Sequence, residues 1–265
     1  DLVANRDPSS TSTNSTATLA QIIERSVKRG AKTKTISLTP ETFRWIAMDP
    51  AVAAATIGQQ LAVASFNDMV NISLLTCRVA LEGVAGLIYD GTAATFDAKY
   101  FVKGARKFGD RSSAIVSWIM HSSVAHDFME ANVGNSANLF QYGTLNVKQD
   151  PTGRIIVMTD SPSLVKEDGV TTGTDKYYTL GLVPGAIMVN QNNDFDAVIT
   201  EDSSQVNIQR NYLANWSHNF GVKGFSWDAT VGGAHPTDAA LGTSTNWDKF
   251  VSSTKDCAGV LITSK

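Results

Sequence analysis

His121, His126 and Asp127 are the residues in this chain whose types and proximity come nearest to catalytic chemistry. An imidazole beside a carboxylate could move a proton or hold a metal. The five-residue spacing of the two histidines spans a strand-to-helix junction, however, and does not set both rings on one helical face as an HExxH site needs. Serines abound, yet no Gly-x-Ser-x-Gly elbow exists to expose a nucleophile on a strained turn. The stretch from Gly86 to Thr92 spaces glycines like a phosphate loop but lacks the lysine that reaches the phosphates, and it reads as a turn. Asp194, Asp196, Glu201 and Asp202 form the densest group of hard oxygen ligands, but the order of a calcium loop and its closing glutamate are missing. They read as a solvated loop. Cys77 and Cys257 belong to no metal or redox motif and read as reduced, buried thiols. The expectation is no catalytic residue, no cofactor and no metal.

The elements that would carry these residues begin with residues 1–17, a polar stretch with too few large apolar side chains to offset its ordering entropy, which reads as an extended arm. Thr18 and Gln21 make a capping-box pattern before Leu19, Ile22, Ile23 and Val27, which predicts a short helix stopped by Gly30. Thr39, Pro40 and Glu41 supply an N-cap, a first-position proline and a first-turn acid for a second helix carrying Phe43, Trp45 and Ile46. Asp49 and Pro50 repeat that signal. From there Val63, Phe66, Val70, Leu74, Cys77, Leu81 and Val84 recur at three and four, predicting one helix of about 32 residues and roughly 48 Å.

Thr95 is expected to cap a helix bearing Phe96, Phe101, Ala105 and Phe108 and ended by Gly109. The apolar run from Ala114 to Met120 reads as a buried strand, followed by a helix capped at Ser122 or Ser123. Asp150, Pro151, Thr152 and Gly153 predict a hairpin between the strands around Val147 and Ile155–Met158. Residues 177–189, 197–200 and 206–216 read as strands, with late helices over 236–241 and 246–253. Helices first and mixed elements afterwards give an α+β fold.

Composition bounds the partners. A chain of 265 residues with 43% hydrophobic content can bury roughly three quarters of its unfolded surface. No Pro/Gly/Ser linker divides it, so one folding unit with subdomains is expected. The net charge of -3 argues against a surface built to neutralise many phosphates. No run of about 18 apolar residues and no signal-peptide pattern appear, and the chain reads as soluble when made. Asp1 in the place of an initiator methionine fits a processed chain or a piece of a longer one. The tryptophans Trp45, Trp118, Trp216, Trp227 and Trp247 could build a sugar platform, but their turn and core surroundings point to packing and subunit contacts.

Ordered runs of residues then carry a resemblance. They are Arg44–Pro50, Lys107–Ser113, Trp118–Ser122, Val147–Asp150, Val157–Pro162, Tyr178–Leu182, Phe225–Asp228, Gly232–Gly233, Pro236–Asp238 and Thr245–Lys249. Across roughly residues 40–260 the chain resembles the major capsid proteins of tailed bacteriophages. The resemblance implies the Hong Kong-type phage capsid fold, with an N-terminal arm (1–17), N-terminal helices and a short extended loop (18–49), a spine helix of the peripheral domain (50–90), and an axial domain with returning peripheral strands (91–265). The segment over 24–40 is brief for a long two-stranded extended loop, so a shortened or different form is expected there.

The implied function is a structural coat protein that self-assembles into an icosahedral head around double-stranded DNA. The implied partners are copies of itself in pentamers and hexamers, with scaffolding, portal and decoration proteins, DNA held only by non-specific proximity, and no membrane. The implied location is the virion, after synthesis in the host cytoplasm. Asp1 and Arg6 on the arm, with Trp45, Trp227 and Trp247, are the candidate subunit contacts. A nanocompartment shell of the same fold and an α+β hydrolase using His121, His126 and Asp127 are the alternatives.

Overall fold

In chain order, the computed structural model contains β1 (Val27–Lys32), β2 (Ile36–Leu38), α1 (Pro40–Met48), α2 (Pro50–Glu82), β3 (Ile88–Asp90), α3 (Ala98–Arg106), β4 (Ser117–His121), α4 (Ser122–Val133), β5 (Val147–Gln149), β6 (Ile155–Thr159), β7 (Val165–Lys166), β8 (Lys176–Leu182), β9 (Ile187–Gln191), β10 (Asp196–Asp202), β11 (Gln209–Val222), β12 (Phe225–Trp227), α5 (Asp238–Leu241), β13 (Trp247–Lys249) and β14 (Gly259–Ser264). The structure describes residue 9 and residues 25–48, 50–133, 147–149, 153–167, 175–204 and 206–265. Apart from Ser9, the arm over 1–17, with Asp1 and Arg6, and the capping box at Thr18 and Gln21 lie outside them.

The main core is built on a seven-stranded mixed sheet in the order β3-β14-β8-β4-β6-β5, with β7 on the far end of β8. Strand pairs β3–β14 and β4–β6 are parallel and the others antiparallel. Trp118 on β4 lies opposite Gly181 on β8, which lies opposite Val260 on β14, so the three share one face. Helices α3 and α4 cover that face: Phe101 packs on Trp118 at 5.2 Å between ring centroids and on Phe128 at 5.4 Å. The neighbouring positions Leu180 and Tyr178 point to the other face, where Arg78 of α2 lies over the Tyr178 ring at 4.7 Å and the Tyr178 hydroxyl donates to Glu82. The sheet is therefore held between helices on both sides, and its central strands are apolar on both faces as such a position requires.

A second sheet is organised by the 14-residue strand β11. One of its edges pairs with β1 and β2, the other with β9 and β10, all antiparallel. The inner half, from Trp216 to Val222, is largely buried; the outer half, with β2 and β10 beside it, projects as a three-stranded blade whose β10 is exposed along almost its whole length. Helix α2 is divided in the same way. Leu74, Cys77, Val79, Ala80 and Leu81 are buried, whereas Val52, Val63 and Phe66 stand exposed.

The α+β expectation and the long helix hold: α2 runs 33 residues from Pro50, about 50 Å. Helix α1 begins at Pro40, and the Thr42 backbone N–H donates to Thr39 Oγ1 at 3.4 Å. The predicted hairpin forms with Val147 opposite Val157, and Gly153 takes φ 81°.

Several local expectations are corrected. Residues 27–32 form strand β1 and Gly30 lies inside it rather than ending a helix, because Val27 and Arg29 alternate inward against β11. Helix α3 starts at Ala98 behind Asp97, two residues later than Thr95 would place it, and ends at Arg106. The strand read over 177–189 is two strands, broken at Pro184 and Gly185, where Gly185 has φ 71°. The helix read over 246–253 is replaced by strand β13, which pairs with β12.

Candidate functional site

Of the residues with catalytic potential, His121 is engaged in structure. His121 ends β4, and its Nδ1 accepts the backbone N–H of Ser123 at 3.2 Å, which caps the first turn of α4; its ring lies 5.5 Å from that of Tyr177. His126 and Asp127 follow on α4, His126 exposed, and no hydrogen bond joins either to His121 among the described residues. Burial holds the Asp127 carboxyl above its usual range, with Glu130 adding to the shift and His126 opposing it. The acids of the β9–β11 region are spread along the blade. Asp194 accepts from the Ser217 backbone and hydroxyl and pairs with Lys28 at 3.2 Å, Glu201 pairs with Arg210 at 2.7 Å, and Asp202 accepts from Ser204 at 2.9 Å and 2.6 Å. Among the described residues no group of three or more His, Cys, Asp or Glu is placed to hold a metal ion. Both cysteines are free and buried, which pushes the Cys77 thiol up to about 12 and the Cys257 thiol to about 11.

The candidate contact tryptophans separate in the structure. Trp227 and Trp247 are each 4% exposed and pack edge to face at 5.1 Å. The Trp227 indole donates to the Gly233 carbonyl at 2.9 Å and the Trp247 indole to the Leu241 carbonyl at 3.2 Å. Their apolar rings and satisfied N–H groups fasten the loops around β12, β13 and α5 to the subunit's own core, so neither is presented at the surface. Trp45 belongs to α1.

The surface that the fold leaves open lies elsewhere, on the exposed half of α2 and on the blade. Phe66 is 58% exposed, and Val63, Val198, Ile199, Val206 and Ile208 are exposed beside charged and hydroxyl side chains. In register, Ile199 of β10 lies opposite Tyr212 of β11, which lies opposite Ile36 of β2, so one face of the blade carries a three-residue apolar row. Single exposed apolar residues are ordinary, but three in register across a projecting blade mark a contact surface.

An ion cluster locks that surface to the core. Arg29 on β1, 9% exposed, donates through Nε to Asp238 of α5 at 2.7 Å and through its terminal nitrogens to Asp68 of α2 and to Asp238. Burial opposes the charge on Arg29, and the two carboxylates outweigh it, so the guanidinium is held above its ordinary value. One side chain thereby joins β1, the middle of α2 and helix α5. Sequence reasoning missed this cluster because its members lie 39 and 209 residues apart. It also missed the blade, whose β2 and β10 meet only through β11.

Comparison with known proteins gives this geometry its context. The family model Gp13-like, major capsid protein 13-like, matches residues 1–261. No curated protein matches the chain. Among solved structures the chain is 10% identical to one from Mycobacterium phage Cain, with 91% of this chain and 73% of that one covered and a TM-score of 0.50. It is 12% identical to the cyanophage Pam1 capsid asymmetric unit, with 83% and 78% covered and a TM-score of 0.46. It is 7% identical to the acidic stable capsid of Helicobacter pylori bacteriophage KHP30, with 91% and 75% covered and a TM-score of 0.46. The long, half-exposed helix, the projecting sheet and the mixed sheet match the Hong Kong-type phage capsid fold. Matched by its family model over 261 of 265 residues, the chain belongs to the Gp13-like family of major capsid proteins and is a structural protein of the virion shell.

Proposed function

We propose that this chain assembles, as pentamers and hexamers of identical copies, into a closed icosahedral head around double-stranded DNA, and that it does so without catalysing a reaction. The observation that carries this reading is the division of α2: its C-terminal half is buried against the subunit's own sheets, while Val52, Val63 and Phe66 on its N-terminal half remain exposed together with the apolar row of the blade. A helix of about 50 Å is longer than its own core can cover, and copies of the chain are the natural cover in a shell with several heterologous contacts per subunit. Such contacts are individually modest and spread over the surface, in keeping with the scatter of exposed apolar residues and the engagement of His121 in helix capping.

The charge balance fits the contents. With 22 basic and 25 acidic residues the chain has no excess of cations to grip a phosphate backbone, so packaged DNA is a neighbour that can leave. Synthesis in the host cytoplasm, with scaffolding, portal and decoration proteins as partners in assembly, completes the reading. Negative-stain electron microscopy and sedimentation of the expressed chain test it. Closed particles tens of nanometres across are expected, and nucleic-acid content separates a phage head from a protein-filled compartment. A small, homogeneous oligomer that never forms particles, even with its phage partners, would overturn it.

A further inference from the structure

A groove of about 430 Å³ opens between the exposed half of α2 and the second sheet. Ile36, Ile57 and Leu61 give it apolar walls with Trp216 buried between them, and the exposed Lys32 and Lys34 line it. Three observations say what this groove lacks. The walls bring apolar side chains from a helix and a sheet to one concave site without a side chain filling it. The indole N–H of Trp216 has no acceptor among the described residues. Neither Lys32 nor Lys34 has an ion-pair partner among the described residues. The site calls for a short apolar segment with a negative charge beside it.

The tip of the blade has that chemistry. Between β10 and β11, Val206 is 102% exposed and Ile208 is exposed two residues further on. Asp202 stands at the foot of the same turn. Its carboxylate accepts the hydroxyl and backbone N–H of Ser204, which hold it below the usual carboxylate range and keep it charged. The tip runs away from the groove of its own subunit: Ile36, a groove wall, pairs with Tyr212, and from there three residues of extended strand, about 10 Å at roughly 3.3 Å per residue, carry the chain outward to Gln209 before the turn begins. Strands β2 and β10 pair with both edges of that outer stretch and keep it from folding back, so the receptor is another copy.

We propose that the β10–β11 tip of one subunit docks into the groove between α2 and the sheet of a neighbouring copy, with Val206 and Ile208 entering the apolar walls and Asp202 facing Lys32 and Lys34. The contact joins two different surfaces of the same chain, so it is heterologous, and repeated by rotation it closes a ring of subunits. The inference rests on the shell reading and adds to it which surfaces meet.

Paired cysteines test it in the full-length chain. Ala64 lines the groove and Val206 stands at the tip, while the native Cys77 and Cys257 are buried and stay silent. Particles of the Ala64→Cys/Val206→Cys variant, oxidised and then denatured, should run as a ladder of covalent multimers, and each single variant as monomer. Well-formed particles of the double variant that give only monomer overturn the docking and leave the shell reading intact. An unmodified chain that forms no particles overturns the shell reading itself.

Charge reversal gives an independent arm. Lys32→Glu/Lys34→Glu should lower particle yield at least tenfold while the isolated subunit melts as before, and adding Asp202→Lys should recover most of it. Assembly of the reversed groove at the original yield, or a triple variant no better than the double, would count against the pairing.

Discussion

Gly181→Ala should unfold this subunit far more easily than a single methyl group would suggest. A Cβ at residue 181 would lie 2.3 Å from Cζ3 of Trp118 and 2.8 Å from two further atoms of the same ring, against the 3.4–4 Å of ordinary contact. The indole would have to retreat by about 1 Å, and it has nowhere to go. Trp118 is fully buried, Phe101 packs against it at 5.2 Å, and the Arg154 guanidinium lies 5.8 Å from its ring. Overpacking of this kind costs about 1–3 kcal/mol, and a wedge in the middle of the main sheet belongs at the upper end, about 3 kcal/mol. At ~2–4 °C per kcal/mol for a chain of this size, the melting temperature should fall by roughly 6–12 °C.

Trp118→Phe alone should cost about 2 kcal/mol through the cavity it leaves. Combined, the smaller ring makes room for the new methyl, so the double variant should recover at least ~1 kcal/mol of the summed losses, as neighbours in one packing site do. The measurement is calorimetry on unassembled subunits, at concentrations too low for particles, so that assembly free energy does not enter. A shift below about 1 °C for Gly181→Ala, or strict additivity in the double variant, would refute the steric argument.

The ion cluster and its neighbourhood give two further expectations. Arg29→Met should cost about 2 kcal/mol, below the loss for a fully buried pair, because Asp68 and Asp238 have side chains 40% and 59% exposed and regain water when released; denaturant titration of Arg29→Met beside Asp238→Asn, which should lose less, checks the order. His218 is buried opposite Arg29, with Asp68 of α2 and Asp194 of the β9–β10 connection also facing it, and burial holds its imidazole below the ordinary 6.5. The folded subunit therefore keeps it neutral while the unfolded chain takes up a proton. Its contribution is complete above about pH 6.5 and is lost as pH falls through the depressed folded value, so His218→Gln should flatten the stability profile between pH 7 and 5. A variant that keeps the same slope there would place the titrating group elsewhere.

What could be read from the sequence follows from how far apart the interacting residues lie. Helix α1 and helix α2 announce themselves within four residues, through Thr39 and Pro40 and through Pro50, and the β5–β6 hairpin through the turn at Gly153. These signals are local, and a single sequence carries them in full. Strand β1 was hidden because its partner is β11, nearly 190 residues later, and Val27 followed the apolar spacing of the preceding Leu19, Ile22 and Ile23 closely enough to read as helix. Residues 247–249 show the same limit: their apolar and charged mixture fits a helix turn, and only pairing with residues 225–227 makes them a strand. Two of the contact candidates, Trp227 and Trp247, show a related limit. Tryptophan is enriched both in cores and at interfaces, and the structure shows Trp227 and Trp247 in the first role.

The long strand β11 explains how one chain can be both a self-sufficient fold and an unfinished surface. A three-stranded blade with β10 exposed has too little buried apolar area to be stable by itself. Its central strand is continuous with residues 216–222 in the core, and Arg29 clamps the flanking strand β1 to α2 and α5, so the blade inherits its order from contacts made well away from its tip. Ordering that is already complete in the free subunit does not have to be supplied when two copies meet, which lets a contact of modest area hold. Arg29 thereby acts in assembly through the blade: loosening the clamp lets the blade sample many orientations, and the loss should appear in particle yield before it appears in the melting of the main sheet. Partial particle loss in Arg29→Lys at temperatures where circular dichroism is unchanged would meet that expectation, and parallel loss of both signals would show that the blade and the core unfold as one unit.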